Sequence, residues 1–166
     1  MKQILHLQQS NLPVSISESE KQKEGFLTVK HDLTILAKMN SVQQHIIAKN
    51  EDKVIGYALC MTKDFKNDIP VLEPMFVQVD NVIDVSTSYI TMGQICVDKE
   101  YRRQGVFRGL YQKMKEQLKG KYDLLITEVD ADNLRSLQAH YAVGFEKLTT
   151  YEASGATWQV VCWDWA

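Results

Sequence analysis

The sequence predicts an α/β fold: a single domain on a central mixed, mostly antiparallel twisted sheet, containing one parallel β-α-β unit and flanked by helices. Three observations predict it. Residues 44–61 and 145–165 each hold two apolar, β-rich runs separated by a short turn-forming stretch, the pattern of an antiparallel hairpin. Between them, residues 89–97, 105–118 and 122–129 alternate strand, amphipathic helix and strand, which calls for a right-handed crossover and a parallel pair. Finally, 166 residues without repeats or low-complexity segments suffice for one full hydrophobic core.

Taken in order, the short apolar run at residues 4–7 reads as a first strand, with the turn around Pro13 after it. Ser15 and Glu18 have capping-box spacing, and the Glu/Lys/Gln-rich stretch to Glu24 reads as an exposed helix. Asp32 caps a second helix whose Leu33, Leu36 and Ala37 fall on one face. The first hairpin turns at residues 50–53. Residues 62–88 are too apolar for a disordered linker, and Met75, Phe76, Val79, Val82 and Ile83 predict a short helix after Pro74. That insertion is either additional core or a lid over an acceptor site.

Residues 89–97 form the central strand, and Leu110, Tyr111, Met114 and Leu118 give the following helix its core stripe. Asp132 or Asn133 caps a last helix over residues 134–143, and Gly144 ends it. The final hairpin turns at residues 152–156.

Bulk properties exclude some functions. Nineteen basic and twenty-one acidic side chains, with a pI near 6.1, give no overall field to draw nucleic acid or a membrane surface. Residues 1–9 lack a signal-peptide core and no run reaches spanning length, so the reading is a soluble cytoplasmic protein. Cys60, Cys96 and Cys162 lie far apart in apolar runs, which suits buried thiols of a reducing compartment. His6, His31 and His45 have no partner at metal-ligand spacing, so no metal is expected. A homodimer is one of the assembly states the sequence leaves open.

Chemistry concentrates in residues 102–108. Here a helix begins, so unpaired backbone N–H groups and the aligned peptide dipoles favour an anion. Gly105 admits close approach of a phosphate, and Arg102, Arg103 and Arg108 add guanidinium groups suited to its oxygens. The spacing is neither that of a P-loop nor of the dinucleotide fingerprint.

Arg102, Arg103, Gln104, Gly105, Val106, Phe107 and Arg108 resemble the acyl-CoA loop of the GCN5-related N-acetyltransferase (GNAT) superfamily, Arg/Gln-x-x-Gly-x-Gly/Ala, with Phe107 replacing the usual Gly or Ala. Asn133, Ser136, His140, Gly144 and Phe145 match the superfamily's next block, Asn-x-x-Ala/Ser followed by Tyr/His-x-x-x-Gly-Phe. The resemblance implies a GNAT-like fold with an acyl-CoA-binding core over residues 89–145, and acetyl-CoA as co-substrate. It implies transfer of an acetyl group to a primary amine, on a small molecule or a peptide, by direct attack. By the same resemblance Ile95, Cys96 and Val97 pair with the pantetheine arm, while Asn133, Ser136 and His140 contact the cofactor. Glu128 becomes the candidate base. His140, with Tyr141 in reserve, becomes the candidate acid for the leaving thiolate. The rival reading, a non-catalytic acyl-CoA-binding sensor or interaction module, draws on Phe107 and on His140 standing where many members have Tyr.

Overall fold

Alternating apolar residues and turn chemistry set the strands of this protein, whose computed structural model describes residues 1–165. The strands are β1 (Ile46–Asn50), β2 (Lys53–Met61), β3 (Tyr89–Val97), β4 (Leu124–Asp130), β5 (Glu146–Ala153) and β6 (Ala156–Asp164). They form one sheet in the order β1-β2-β3-β4-β6-β5. Only β3 and β4 run parallel; the other neighbours are antiparallel. The helices are α1 (Lys2–Gln9), α2 (Glu18–Glu24), α3 (Leu33–Val42), α4 (Glu73–Val82), α5 (Val106–Leu118) and α6 (Leu134–Val143).

Each sheet face carries a core. On one side Ile4 and Leu7 of α1, Leu36 and Met39 of α3, and Met75, Phe76 and Val79 of α4 pack on Tyr57, Leu59, Cys96 and Ile126. On the other, Leu110, Tyr111, Met114 and Leu118 of α5 and Leu137 of α6 cover Ala58, Ile90, Leu125, Val161 and Trp163. Full burial of one such Leu, Met or Phe contributes about 1.5–3 kcal/mol.

Several expectations need correction. Residues 4–7 are not a strand but the middle of α1, because Ile4, Leu7 and Gln8 lie at helical spacing and bury together. The cap of α2 is Ser17, which accepts from Glu20 N, rather than Ser15, which lies in a preceding 3-10 turn. Asp32 does cap α3, but that helix buries Leu36 and Met39, while Leu33 and Ala37 are exposed. Val82 lies outside on α4. Cys162 is half-buried, unlike the other two free cysteines. The helix after the insertion is present, beginning at Glu73 with Pro74 in its first turn. The insertion also buries Phe65, Ile69 and Leu72 in the first core.

Three one-residue bulges shape the sheet, the first at Ile55 of β2, between Gly56, facing Ala48, and Val54, facing Lys49. Leu59 faces Gln94 while Cys60 faces Met92, so Gly93 is the extra residue in β3. It flips the alternation: Met92 and Ile95 both face the α5 side, and Gln94 and Cys96 the other. Leu148 is the extra residue in β5, between Lys147, facing Val161, and Thr149, facing Val160.

Candidate active site

The parallel strands β3 and β4 pair only through Tyr89, Ile90 and Thr91 opposite Leu124, Leu125 and Ile126. Beyond that they splay, and Thr127 Oγ1 donates to Met92 O (3.0 Å) where the slit opens. From Gly93 onward the inner edge of β3 has no strand partner. Two adjoining cavities occupy the slit and its mouth, sharing Phe26, Leu27, Ile95, Asn133 and Ser136 as walls. The larger, about 420 Å³, is bounded by Ile95, Cys96 and Val97 of β3 and by residues of the α5 start. The smaller, about 60 Å³, lies along Glu128.

The loop before α5 leaves the start of the helix open. Arg103 (φ 61°) and Gly105 (φ 83°) take left-handed conformations that turn the chain into the helix. The space beside Gly105 is open to 4 Å. The first helical donor is Gly109 N, to Gly105 O at 2.9 Å, so the N–H groups of Val106, Phe107 and Arg108 have no helical acceptor. Phe107 does not plug this cradle. Its ring packs edge-on against Tyr111 (5.2 Å) and His140 (5.3 Å) and forms cavity wall.

The loop's side chains are largely committed elsewhere. Arg102 donates to Val97 O (3.2 Å), Asn11 Oδ1 (2.6 Å) and Glu24 Oε2 (3.3 Å). Arg103, more exposed, donates to Glu24 Oε1 (2.7 Å). Gln104 donates to Glu100 O, and Arg108 to Ala142 O.

A strap, residues 25–29, crosses the slit. Asn133 Nδ2 donates to Phe26 O (3.1 Å), Gln94 Nε2 to Val29 O (2.6 Å), and Leu27 N to Asn11 O (3.2 Å). Asn133 therefore caps α6, accepting from Ser136 N, and ties down the strap at once.

Glu128 lies on the smaller cavity with Asp130 and His140. Burial pushes its carboxyl up to about 7, against the opposing effect of a hydrogen bond from the Tyr151 hydroxyl to Oε2. His140 is 1 % exposed. Its Nδ1 donates to Ser136 O (2.7 Å), as the i−4 geometry of the helix dictates, so Nε2 accepts from Tyr111 OH (2.7 Å). Burial holds its pKa at about 4, and the ring is neutral at physiological pH. Tyr141 points away, half exposed, and donates to Gln159 Oε1 (2.8 Å); it lines neither cavity. Cys96 is buried, its thiol pushed up to about 12. No residue of the 62–88 insertion lines either cavity.

The slit thus gathers Ile95, Cys96, Val97, the 102–108 loop without Gln104, Asn133, Ser136, His140 and Glu128, and leaves Gln104 and Tyr141 outside. Sequence reasoning missed Tyr151, Tyr111, Asn11 and the strap. Tyr151 carries no motif and reaches Glu128 only through sheet register. Tyr111 read as core, which it also is.

An open helix start beside an unpaired strand edge and a half-buried carboxyl is an arrangement that suits an acyltransferase of the acyl-CoA-using kind. The family comparison agrees: the model of the acetyltransferase (GNAT) family matches residues 2–145. The chain belongs to that family, whose co-substrate is acetyl-CoA. A search of curated proteins gives no match. Among solved structures, smu.2055 from Streptococcus mutans UA159 superposes with a TM-score of 0.64 at 18% identity, covering 99% of this chain and 93% of that one. The ribosomal-protein-S18-alanine N-acetyltransferase of Escherichia coli gives 0.62 at 16%, covering 99% and 87%. The protein yncA from Salmonella typhimurium, solved with acetyl-CoA, gives 0.59 at 11%, covering 83% and 76%. These likenesses concern the fold.

Proposed function

We propose that this protein transfers the acetyl group of acetyl-CoA to a primary amine, on a small molecule or a peptide, by direct attack with Glu128 as general base. The observation that carries the reading is the position of Glu128: a carboxyl at about 7 on a cavity that shares its wall with the cofactor cavity. Its affinity for a proton near neutrality suits proton removal from an ammonium, whose lysine-like reference value is ~10.4.

The residues present fit the cofactor. The N–H groups at the start of α5 and the open space at Gly105 suit its phosphates, and the unpaired edge of β3 at Ile95, Cys96 and Val97 suits an arm that pairs like an added strand. When bound, acetyl-CoA supplies an activated acetyl thioester. The strap lies across the slit in which it would sit. Arg103 and Arg108 lie at the rim with side chains that exchange protein partners for phosphate oxygens. Ser136 and His140 form the α6 wall.

The acid step falls to neither candidate from the sequence. His140 is neutral with both ring nitrogens engaged, and Tyr141 faces solvent. His140 instead fixes the α5–α6 wedge through Tyr111. The buried Cys96 thiol, protonated at neutral pH, supports direct transfer over a covalent enzyme intermediate. A cytoplasmic location is part of this proposal, and the free thiols, which suit a reducing compartment, support it. No helix among the described residues is long and apolar enough to cross a membrane.

The test is calorimetric titration with acetyl-CoA and CoA, with ATP as control. An amine screen then follows with spermidine, an aminoglycoside, free amino acids, and peptides carrying a free amino terminus or a lysine. We expect binding of both CoA forms and turnover with one amine class. Glu128→Gln should lower kcat by about 10²–10⁴-fold, the usual worth of a general base, while leaving acetyl-CoA affinity unchanged. Full activity in that variant would remove Glu128 from the chemistry.

A further inference from the structure

We propose that Tyr151 is a positioning residue for Glu128, its hydroxyl holding one carboxylate oxygen so that the other is presented to the amine. The proposal rests on Glu128 being the base, and it deepens that reading. Tyr151 OH donates to Glu128 Oε2. No other hydrogen bond to the Glu128 side chain joins it from the described residues, so Oε1 is left for the cavity.

The contact spans three strands. Glu128 lies opposite Val160, and Val160 opposite Thr149; Tyr151 stands two residues on, on the same face. Its ring therefore crosses β6 diagonally to reach β4. The register that permits this runs unbroken from the hairpin turn, with Ala153 opposite Ala156 and Tyr151 opposite Trp158, while the bulge at Leu148 lies beyond Thr149 and shifts only the start of β5. Leu148 and Tyr151 pack against the same core as Ile126 and Val160.

Both partners are tuned by the arrangement. Burial raises Glu128, and the donated hydrogen bond acts against that rise. Burial and the adjacent carboxylate raise the Tyr151 hydroxyl, so it stays a proton donor across the working range. The other titratable groups on the cavity are Asp130 from β4 and His140 from α6, while the β3 and strap residues that line it carry none.

Tyr151→Phe removes one oxygen and keeps the ring in place. In protein carrying 13C-labelled glutamate, with the Glu128 carboxyl signal assigned by its loss in Glu128→Gln, the Glu128 titration should move up by about one pH unit in Tyr151→Phe, as loss of a hydrogen bond to a charged group implies. This measurement needs no acceptor. With the acceptor returned by the amine screen, kcat should fall by about tenfold, and the acidic limb of its pH profile should move to higher pH by the same interval. In a Glu128→Gln background, Tyr151→Phe should have no further effect, because Tyr151 acts only through the carboxylate.

An unmoved titration, or an equal loss with and without Glu128, would overturn the proposal. Retained activity in Glu128→Gln alone would instead overturn the reading beneath it, so the two failures are distinguishable.

Discussion

At the level of single residues, the loop arginines divide into two jobs that the sequence presents as one. Arg102 is 18% exposed in its side chain and makes three hydrogen bonds that join the 102–108 loop to β3, to the loop after α1 and to the end of α2. Arg103 is 71% exposed and has a single carboxylate partner. Arg102→Ala should therefore cost about 1–3 kcal/mol in urea unfolding, because Val97 O and Asn11 Oδ1 lose their donor. Arg103→Ala should change stability by less than about 1 kcal/mol, as exposed ion pairs do. Equal losses would show that Arg102 is not a tether. The candidate base was legible at this scale, since Glu128 sits near the end of an apolar strand. Its partner Tyr151 was not, because no spacing rule links residues on strands that meet only through a third. The orientation of His140 was equally hidden: its place in the motif is read from sequence, but its engagement depends on Tyr111, a residue that any helical wheel assigns to the core.

At the level of elements, the cradle stays in place because α5 comes close to the sheet. Gly56 in β2 makes that approach. A Cβ there would stand 3.1 Å from Val106 Cγ1, 3.2 Å from Cys96 O and 3.3 Å from Leu110 Cδ1. Gly56→Ala should destabilise the protein by about 1–3 kcal/mol, the usual range for overpacking, and should weaken acetyl-CoA binding as the first turn of α5 is pushed outward. Calorimetry and urea unfolding of the one variant check both effects. Most elements followed from pattern alone: β3 and α6 occupy the predicted residues, and the parallel unit forms as its alternation required. The exceptions have physical causes. Four apolar-rich residues near the start suit strand or helix equally, and tertiary packing decided for α1. The bulges at Gly93 and Leu148 insert single residues into runs that read as continuous alternation, so the face reached by Gln94 or Tyr151 could not be counted from the strand's start.

At the level of the whole molecule, buried titratable groups link stability to pH in opposite directions. His31, 3% exposed, and His140 are both lowered to about 4 by burial. Above the unfolded value of 6.5 neither imposes a cost. As pH falls from 6.5 to 4 the unfolded chain takes up protons that the folded chain refuses, and each His withdraws up to about 3 kcal/mol. Glu128 behaves in reverse: its folded carboxyl, at about 7, keeps a proton that the unfolded chain has released above 4.5, so acidification relieves its burial. The protein should thus lose stability between pH 6.5 and 4, and Glu128→Gln, which lacks the offsetting carboxyl, should lose it more steeply. Urea midpoints across that range decide the matter, and parallel slopes would mean that the folded Glu128 carboxyl does not hold its proton above the unfolded value.

The splay between β3 and β4 also bears on self-association. A sheet that parts in its middle has two extra borders, each with unpaired amide and carbonyl groups of the kind that recruit foreign strands. Residues 25–29 lie across that opening, fastened through Asn133, Gln94 and Asn11. The same short segment therefore covers strand borders that would otherwise be open to unwanted β-pairing, so the solubility of the protein draws on those few hydrogen bonds.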